Sequence, residues 1–169
     1  MKVLVAGAGP AGLYFSYLLR RHDPPCEIRV VEQNPPDATF GFGVVFSDRA
    51  LEFLQADDPA TYDLITPELK AWVDLHVVHR GERVVIDGIG FAAIGRLHFL
   101  GLMQRQAASV GVHPEFRTPV GDISGYDLVV AADGANSAVR RSGDFGTRVT
   151  HCANKFSWYG TPKLFVKLT

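Results

Sequence analysis

The sequence predicts an α/β fold on a parallel sheet, and three observations carry that expectation. A short apolar run, Lys2 to Ala6, is followed at once by Gly7-Ala8-Gly9-Pro10-Ala11-Gly12 and then by an apolar helical stretch ending in Leu19-Arg20-Arg21-His22. A second strand pattern, Glu27 to Val31, ends at Glu32. A third apolar strand, within Tyr126 to Ala132, delivers Asp133-Gly134 at its carboxyl end, the edge at which open α/β sheets bind ligands.

Composition narrows the class. With 17 Lys and Arg against 18 Asp and Glu, the 169-residue chain carries a formal charge of −1 and gives no electrostatic reason to expect nucleic acid or an anionic membrane surface. An apolar share of 47% excludes disorder, and a chain of this length builds one core without metal or disulfide staples. Cys26 and Cys152 form no disulfide framework and no metal-ligand spacing, which fits a reducing, cytoplasmic setting. The apolar opening from Val3 to Leu19 is broken by Gly7, Gly9, Pro10 and Gly12, so it reads as folded core and not as a signal peptide or membrane span.

The elements follow in order. Gly7 permits a tight reversal after the first strand, Gly9 lets a pyrophosphate approach the backbone, and Gly12 lets helix and strand pack closely. The helix opening at Pro10-Ala11 pairs Tyr14 with Leu18 and Phe15 with Leu19; being apolar on most faces, it is expected to be largely buried, and Asp23-Pro24-Pro25 stops it. Asp48 to Gln55 reads as a short helix ended by Asp57-Asp58-Pro59. Trp72 to His79 and Glu82 to Ile86 read as a hairpin around Arg80-Gly81. A helix over 97–110 places Leu100, Met103 and Ala107 on one face and is capped by Gly111. Glu115 to Thr118 and Asp127 to Ala131 resume the sheet, and Lys155 to Tyr159 and Leu164 to Leu168 read as two closing strands.

Strand, glycine-rich turn, helix, strand and acid, in that order, make a Rossmann-like dinucleotide unit. Glu32 lies about 20 residues beyond the last motif glycine, the spacing of an acid that hydrogen-bonds a ribose diol. The turn alone leaves open whether the ligand is a nicotinamide cofactor or the ADP half of FAD. Asp133 can accept from a ribose or order neighbouring N–H groups, Gly134 lets the backbone pass close to a ligand, and Arg140 can pair with a helix, a carboxylate or a phosphate. None of the six histidines makes a metal-like pair.

Gly-Ala-Gly-Pro-Ala-Gly at 7–12, Glu32, and Ala-Asp-Gly-Ala-Asn-Ser-Ala-Val-Arg at 132–140 resemble the FAD-dependent aromatic hydroxylases, the single-component flavoprotein monooxygenases typified by p-hydroxybenzoate hydroxylase. The stretch from Ile94 to Val112 resembles that family's next helix, in which the position of Arg96 contacts the flavin. Gly41 to Val45 and Asn154 to Thr161 resemble the branch of salicylyl-CoA 5-hydroxylase, 2-aminobenzoyl-CoA monooxygenase and the tryptophan-ring hydroxylase of violacein biosynthesis.

The resemblance implies FAD held by Gly7, Gly9, Pro10, Ala11, Gly12, Glu32, Gln33, Arg96, Asp133, Gly134 and Arg140, with NADH or NADPH as electron donor. It implies hydroxylation of a small aromatic substrate, an aryl-CoA thioester or an indole or phenol, by dioxygen through a flavin C4a-hydroperoxide. It also implies an FAD-binding domain over 1–148 with an excursion at about 46–95, and the beginning of a substrate-binding sheet over 149–169. Family members are about twice as long and carry a further Gly-Asp motif, so the chain is expected to be an amino-terminal part, weakly active or inactive alone. Two other readings stay open: an NAD-binding dehydrogenase in which Glu32 selects the cofactor, and a non-catalytic dinucleotide-binding module.

Overall fold

The structure, a computed structural model, describes residues 1–155, 157 and 161. Contacts divide the chain into one unit of Met1–Thr39 with Leu100–Asn154 and a second built on Phe40–Phe99.

The first unit is the expected parallel sheet. Strands β1 (Lys2–Ala6), β2 (Glu27–Glu32), β8 (Glu115–Phe116) and β9 (Leu128–Ala131) lie in the order β8-β2-β1-β9, every pairing parallel. Val3, Leu4, Val5 and Ala6 are all buried, so β1 is covered on both faces, which is why it reads as an unbroken apolar run. Helix α1 (Pro10–His22) connects β1 to β2. It buries only Gly12, Leu13, Ser16 and Tyr17, and Leu18 is exposed. The expectation of a largely buried helix is thus corrected: one stripe at i, i+1, i+4 and i+5 faces the core, and Tyr14, Phe15 and Leu19 are half-buried.

Helix α4 (Arg96–Ser109) buries Leu100, Met103 and Ala107, the face its spacing predicts, and Leu102 besides. Gly111, at φ +77°, lets the chain turn back so that the Val112 N–H bonds the Ala107 carbonyl. Gln104 donates to the Pro36 carbonyl at 2.8 Å, tying α4 to the segment after β2. The short strand β8 is anchored by Arg29 on β2, which grips the Glu115 carboxylate through two nitrogens at 2.9 and 2.8 Å and reaches the Tyr126 hydroxyl at 3.1 Å.

In the second unit, β3 (Gly43–Ser47), β7 (Phe91–Gly95) and β4 (Lys70–Trp72) form an antiparallel sheet in the order β3-β7-β4. Helix α2 (Asp48–Asp57) is capped by the Ser47 hydroxyl. Pro59 does not end the helical region: it opens α3 (Pro59–Ile65), where its missing N–H costs nothing. Buried Asp58 precedes that helix and accepts from the Thr61 hydroxyl. The run read as one strand from Trp72 to His79 is broken at Val73-Asp74 into β4 and β5 (Leu75–His79). Strand β5 pairs with β6 (Glu82–Ile86) around Arg80 and Gly81, at φ +50° and +85°, the paired left-handed residues of a tight hairpin turn. The closing strands expected over 155–159 and 164–168 lie outside the described residues apart from Lys155 and Ser157, and Lys155 is in no strand.

Candidate functional site

The carboxyl ends of β1, β2 and β9 bring three sequence markers together. At the end of β1 the chain turns at Gly7, whose φ of +102° favours glycine and whose Cβ would run into the backbone of Ala132 and Asp133. A side chain on Gly12 would run into the Gly7 carbonyl, so these two glycines are required by close packing of turn, helix and β9. Gly9 differs: its Cβ would meet nothing within 4 Å. It stands at the N-cap of α1, where no side chain caps the helix, no acidic residue occupies the first turn, and Pro10 contributes no N–H. The first turn thus presents its free N–H groups and the positive end of the helix dipole beside an open glycine, the arrangement that receives a phosphate.

Glu32 ends β2 beside this turn. One carboxylate oxygen, Oε2, accepts from the Ala8 N–H at 3.0 Å; the other, Oε1, accepts from the Asn34 N–H and the Asn34 carboxamide, both at 2.8 Å. Asn34 had no place among the residues expected from sequence. No local pattern marks it, because its part depends on where the Glu32 side chain turns.

Asp133 lies past the end of β9, against Gly7. Its Oδ2 accepts from the N–H groups of Ala138 at 2.6 Å and Val139 at 3.4 Å. Burial pushes its carboxyl up, but the neighbouring Ser137 hydroxyl and the backbone N–H groups of Ala138, Asp133 and Val139 outweigh it and hold the carboxyl below the usual Asp value. The other oxygen, Oδ1, is buried with no hydrogen-bond partner. Of the two roles open to Asp133, ordering of nearby N–H groups is the one formed, and an acceptor is left over. Gly134, at φ +79°, has open space where a side chain would stand. Arg140 donates to the Ala135 carbonyl, so its guanidinium braces the loop that follows Gly134. Gln33 has no described side-chain contact. Arg96 falls in the second unit, where its N–H bonds the Phe42 carbonyl at 3.0 Å and begins α4.

An ADP-ribosyl group fits these residues: an open glycine and free N–H groups for phosphate, a carboxylate for the ribose, and a buried acceptor without a donor. No group of three His, Cys, Asp or Glu able to hold a metal ion occurs among the described residues, and no described helix is long and apolar enough to cross a membrane.

No protein-family profile matches the chain. It is 43% identical to the salicyloyl-CoA 5-hydroxylase of a Streptomyces species, over all of this chain and 34% of that protein. It is 33% identical to the 3-hydroxy-4-methyl-anthranilyl-[aryl-carrier protein] 5-monooxygenase of Streptosporangium sibiricum, over 96% of this chain and 47% of that one. The chain is a relative of these two ring-oxygenating enzymes. It spans between a third and a half of the length of the curated relatives it matches. The fold agrees: 2-methyl-3-hydroxypyridine-5-carboxylic acid oxygenase superposes with a TM-score of 0.71 at 22% identity, covering 83% of this chain and 41% of that one.

Proposed function

We propose that the chain is the FAD-holding part of a flavoprotein monooxygenase that hydroxylates an aromatic ring, with NADH or NADPH as reductant. The observation that carries this reading is the convergence, at the ends of three parallel strands, of an open glycine at a helix N-terminus, a strand-end carboxylate and a buried, unpartnered Asp133 oxygen. FAD bound there supplies the activation of dioxygen. The chain's share is binding and orientation. Gly9 and the first turn of α1 receive the pyrophosphate, Glu32 accepts from the adenosine ribose, and Asp133 fixes the segment 133–139 while offering Oδ1 to a ligand hydroxyl. The proposed cofactor-binding part covers 1–148, with Gly134, Arg140 and Gln33 completing the cradle in the first unit, and Arg96 is kept as a separate proposed flavin contact in the second. For substrate we propose an aryl acyl group borne on a carrier, since the names of both relatives describe one, on CoA in the first and on a carrier protein in the second.

The test is titration of the 169-residue chain with FAD and, separately, with NADH. Saturable FAD binding, weakened by about 1–3 kcal/mol in Glu32→Ala through the ribose hydroxyl left unpaired, is the expected result. Tight NADH binding with indifference to FAD would overturn it in favour of a dehydrogenase. For the substrate, whatever NAD(P)H oxidation the FAD-loaded protein retains is expected to be stimulated by salicyloyl-CoA and not by free salicylate.

A further inference from the structure

Resting on the reading of Glu32 as the ribose acceptor, we infer that Asn34 is a positioning residue for the cofactor: it clamps the Glu32 carboxylate so that a single acceptor site on Oε2 is presented to the ribose. Each carboxylate oxygen has about two acceptor sites. Both on Oε1 are taken, by the Asn34 N–H and carboxamide at 2.8 Å each, whereas Oε2 takes only the Ala8 N–H at 3.0 Å.

The clamp is itself held from a remote part of the sequence. The N–H of Arg117 donates to the Asn34 carbonyl at 3.1 Å, and that of Thr118 donates to the Glu32 carbonyl at 2.8 Å. Arg117 reaches this position with φ at +56°, uncommon for a non-glycine residue, so the segment after β8 bends to make the pair of bonds. Glu32 is thus fixed at its backbone by Thr118 and at both carboxylate oxygens by Ala8 and Asn34. A side chain so fixed loses little rotamer freedom when a ligand arrives, which favours affinity. It also makes the ribose contact a single, directed hydrogen bond and not a two-oxygen embrace of both hydroxyls.

The experiment measures dissociation constants for ADP-ribose, which carries the ribose and pyrophosphate but no isoalloxazine, and for FMN, which lacks the adenosine. The proteins are the unaltered 169-residue chain, Asn34→Ala, the same-shaped Asn34→Asp, Glu32→Ala and the Asn34→Ala/Glu32→Ala pair, each with its thermal midpoint recorded. Asn34→Ala is expected to weaken ADP-ribose about fivefold to tenfold, the worth of one lost hydrogen bond. Asn34→Asp, which sets a carboxylate against Glu32 in place of a donor, is expected to weaken it further. FMN binding is expected to be the same in all. In the Glu32→Ala background the Asn34 change is expected to have no further effect, because its role passes through Glu32.

An equal loss from Asn34→Ala with Glu32 present or absent would show a merely structural role and overturn the inference. So would unchanged ADP-ribose affinity in Asn34→Ala and Asn34→Asp while Glu32→Ala binds weakly, a result that leaves the ribose reading intact. If the unaltered chain does not bind ADP-ribose at all, the ribose reading falls and the inference with it.

Discussion

A side chain at Gly12 would meet the Gly7 carbonyl, whereas one at Gly9 would meet nothing within 4 Å, although both belong to the same short turn. Gly9 has φ −70° and ψ 176°, a conformation any residue adopts, so no backbone strain and no protein neighbour demands a glycine there. On the proposed function, the pyrophosphate of the ligand demands it. Gly9→Ala is expected to change the free energy of unfolding by less than about 0.5 kcal/mol while lowering FAD affinity about tenfold or more, because the new methyl group stands where the pyrophosphate must approach. Gly12→Ala is expected to destabilise the chain by about 1–3 kcal/mol through overpacking against the turn. Urea denaturation beside a flavin titration checks both. A Gly9→Ala protein that binds FAD as the unaltered chain does would refute the assignment of that glycine. Asp133 shows the same division within one side chain, one oxygen spent on the N–H groups of Ala138 and Val139 and the other buried without a donor.

Among the elements, β8 depends on a remote partner. It is two residues long, and the Arg29–Glu115 bridge carries its link to β2 beyond the backbone pairing. The hydrogen bond from Arg29 holds the Glu115 carboxyl below its ordinary value of 4.5, against a smaller opposing effect of burial. A carboxyl lowered by folding contributes stability that is fully present above its unfolded pKa and is lost as pH falls through the folded one. Glu115→Gln is therefore expected to be less stable than the unaltered chain at pH 7, by under about 1 kcal/mol because both side chains are about half exposed, with the difference closing as Glu115 protonates below the usual carboxylate range. Denaturant midpoints of the two proteins across that range check it. A difference that persists under acid would locate the effect elsewhere. This bridge was not legible in the sequence, since residues 29 and 115 share no local pattern. Strand β1 was legible as an unbroken apolar run, and helix α1, strand β2 and helix α4 by their apolar stretches and the residues that stop them. Strands β3 and β7 were not: Gly43–Ser47 and Phe91–Gly95 are five-residue runs with little alternation, and they exist because Val44 pairs with Ile94 and Phe46 with Ala92. At the site, Gly7, Gly12, Glu32 and Asp133 were legible from spacing, and Asn34 was not, because its role depends on where the Glu32 side chain turns.

At the scale of the whole molecule, the site lies within the unit formed by Met1–Thr39 and Leu100–Asn154, whose parallel sheet joins residues distant in sequence: Lys2 of β1 faces Glu27 of β2, and its N–H reaches the Asp127 carboxylate before β9 at 2.6 Å. Because the three binding segments enter the sheet separately, a ligand that contacts all of them binds the folded unit and not the unfolded chain. Free FAD at about 100 times its dissociation constant is then expected to add about 2.7 kcal/mol to the stability of this unit. FMN, which lacks the adenosine, is expected to add far less. The same linkage predicts where protection falls. On FAD addition, amide exchange should slow in Gly7 to Leu13, in Glu32 to Asn34 and in Asp133 to Val139 together, since each segment contributes an N–H group or acceptor to one ligand. Hydrogen exchange read by mass spectrometry checks this, and protection confined to one of the three segments would mean that the ends of β1, β2 and β9 do not act as a single cradle.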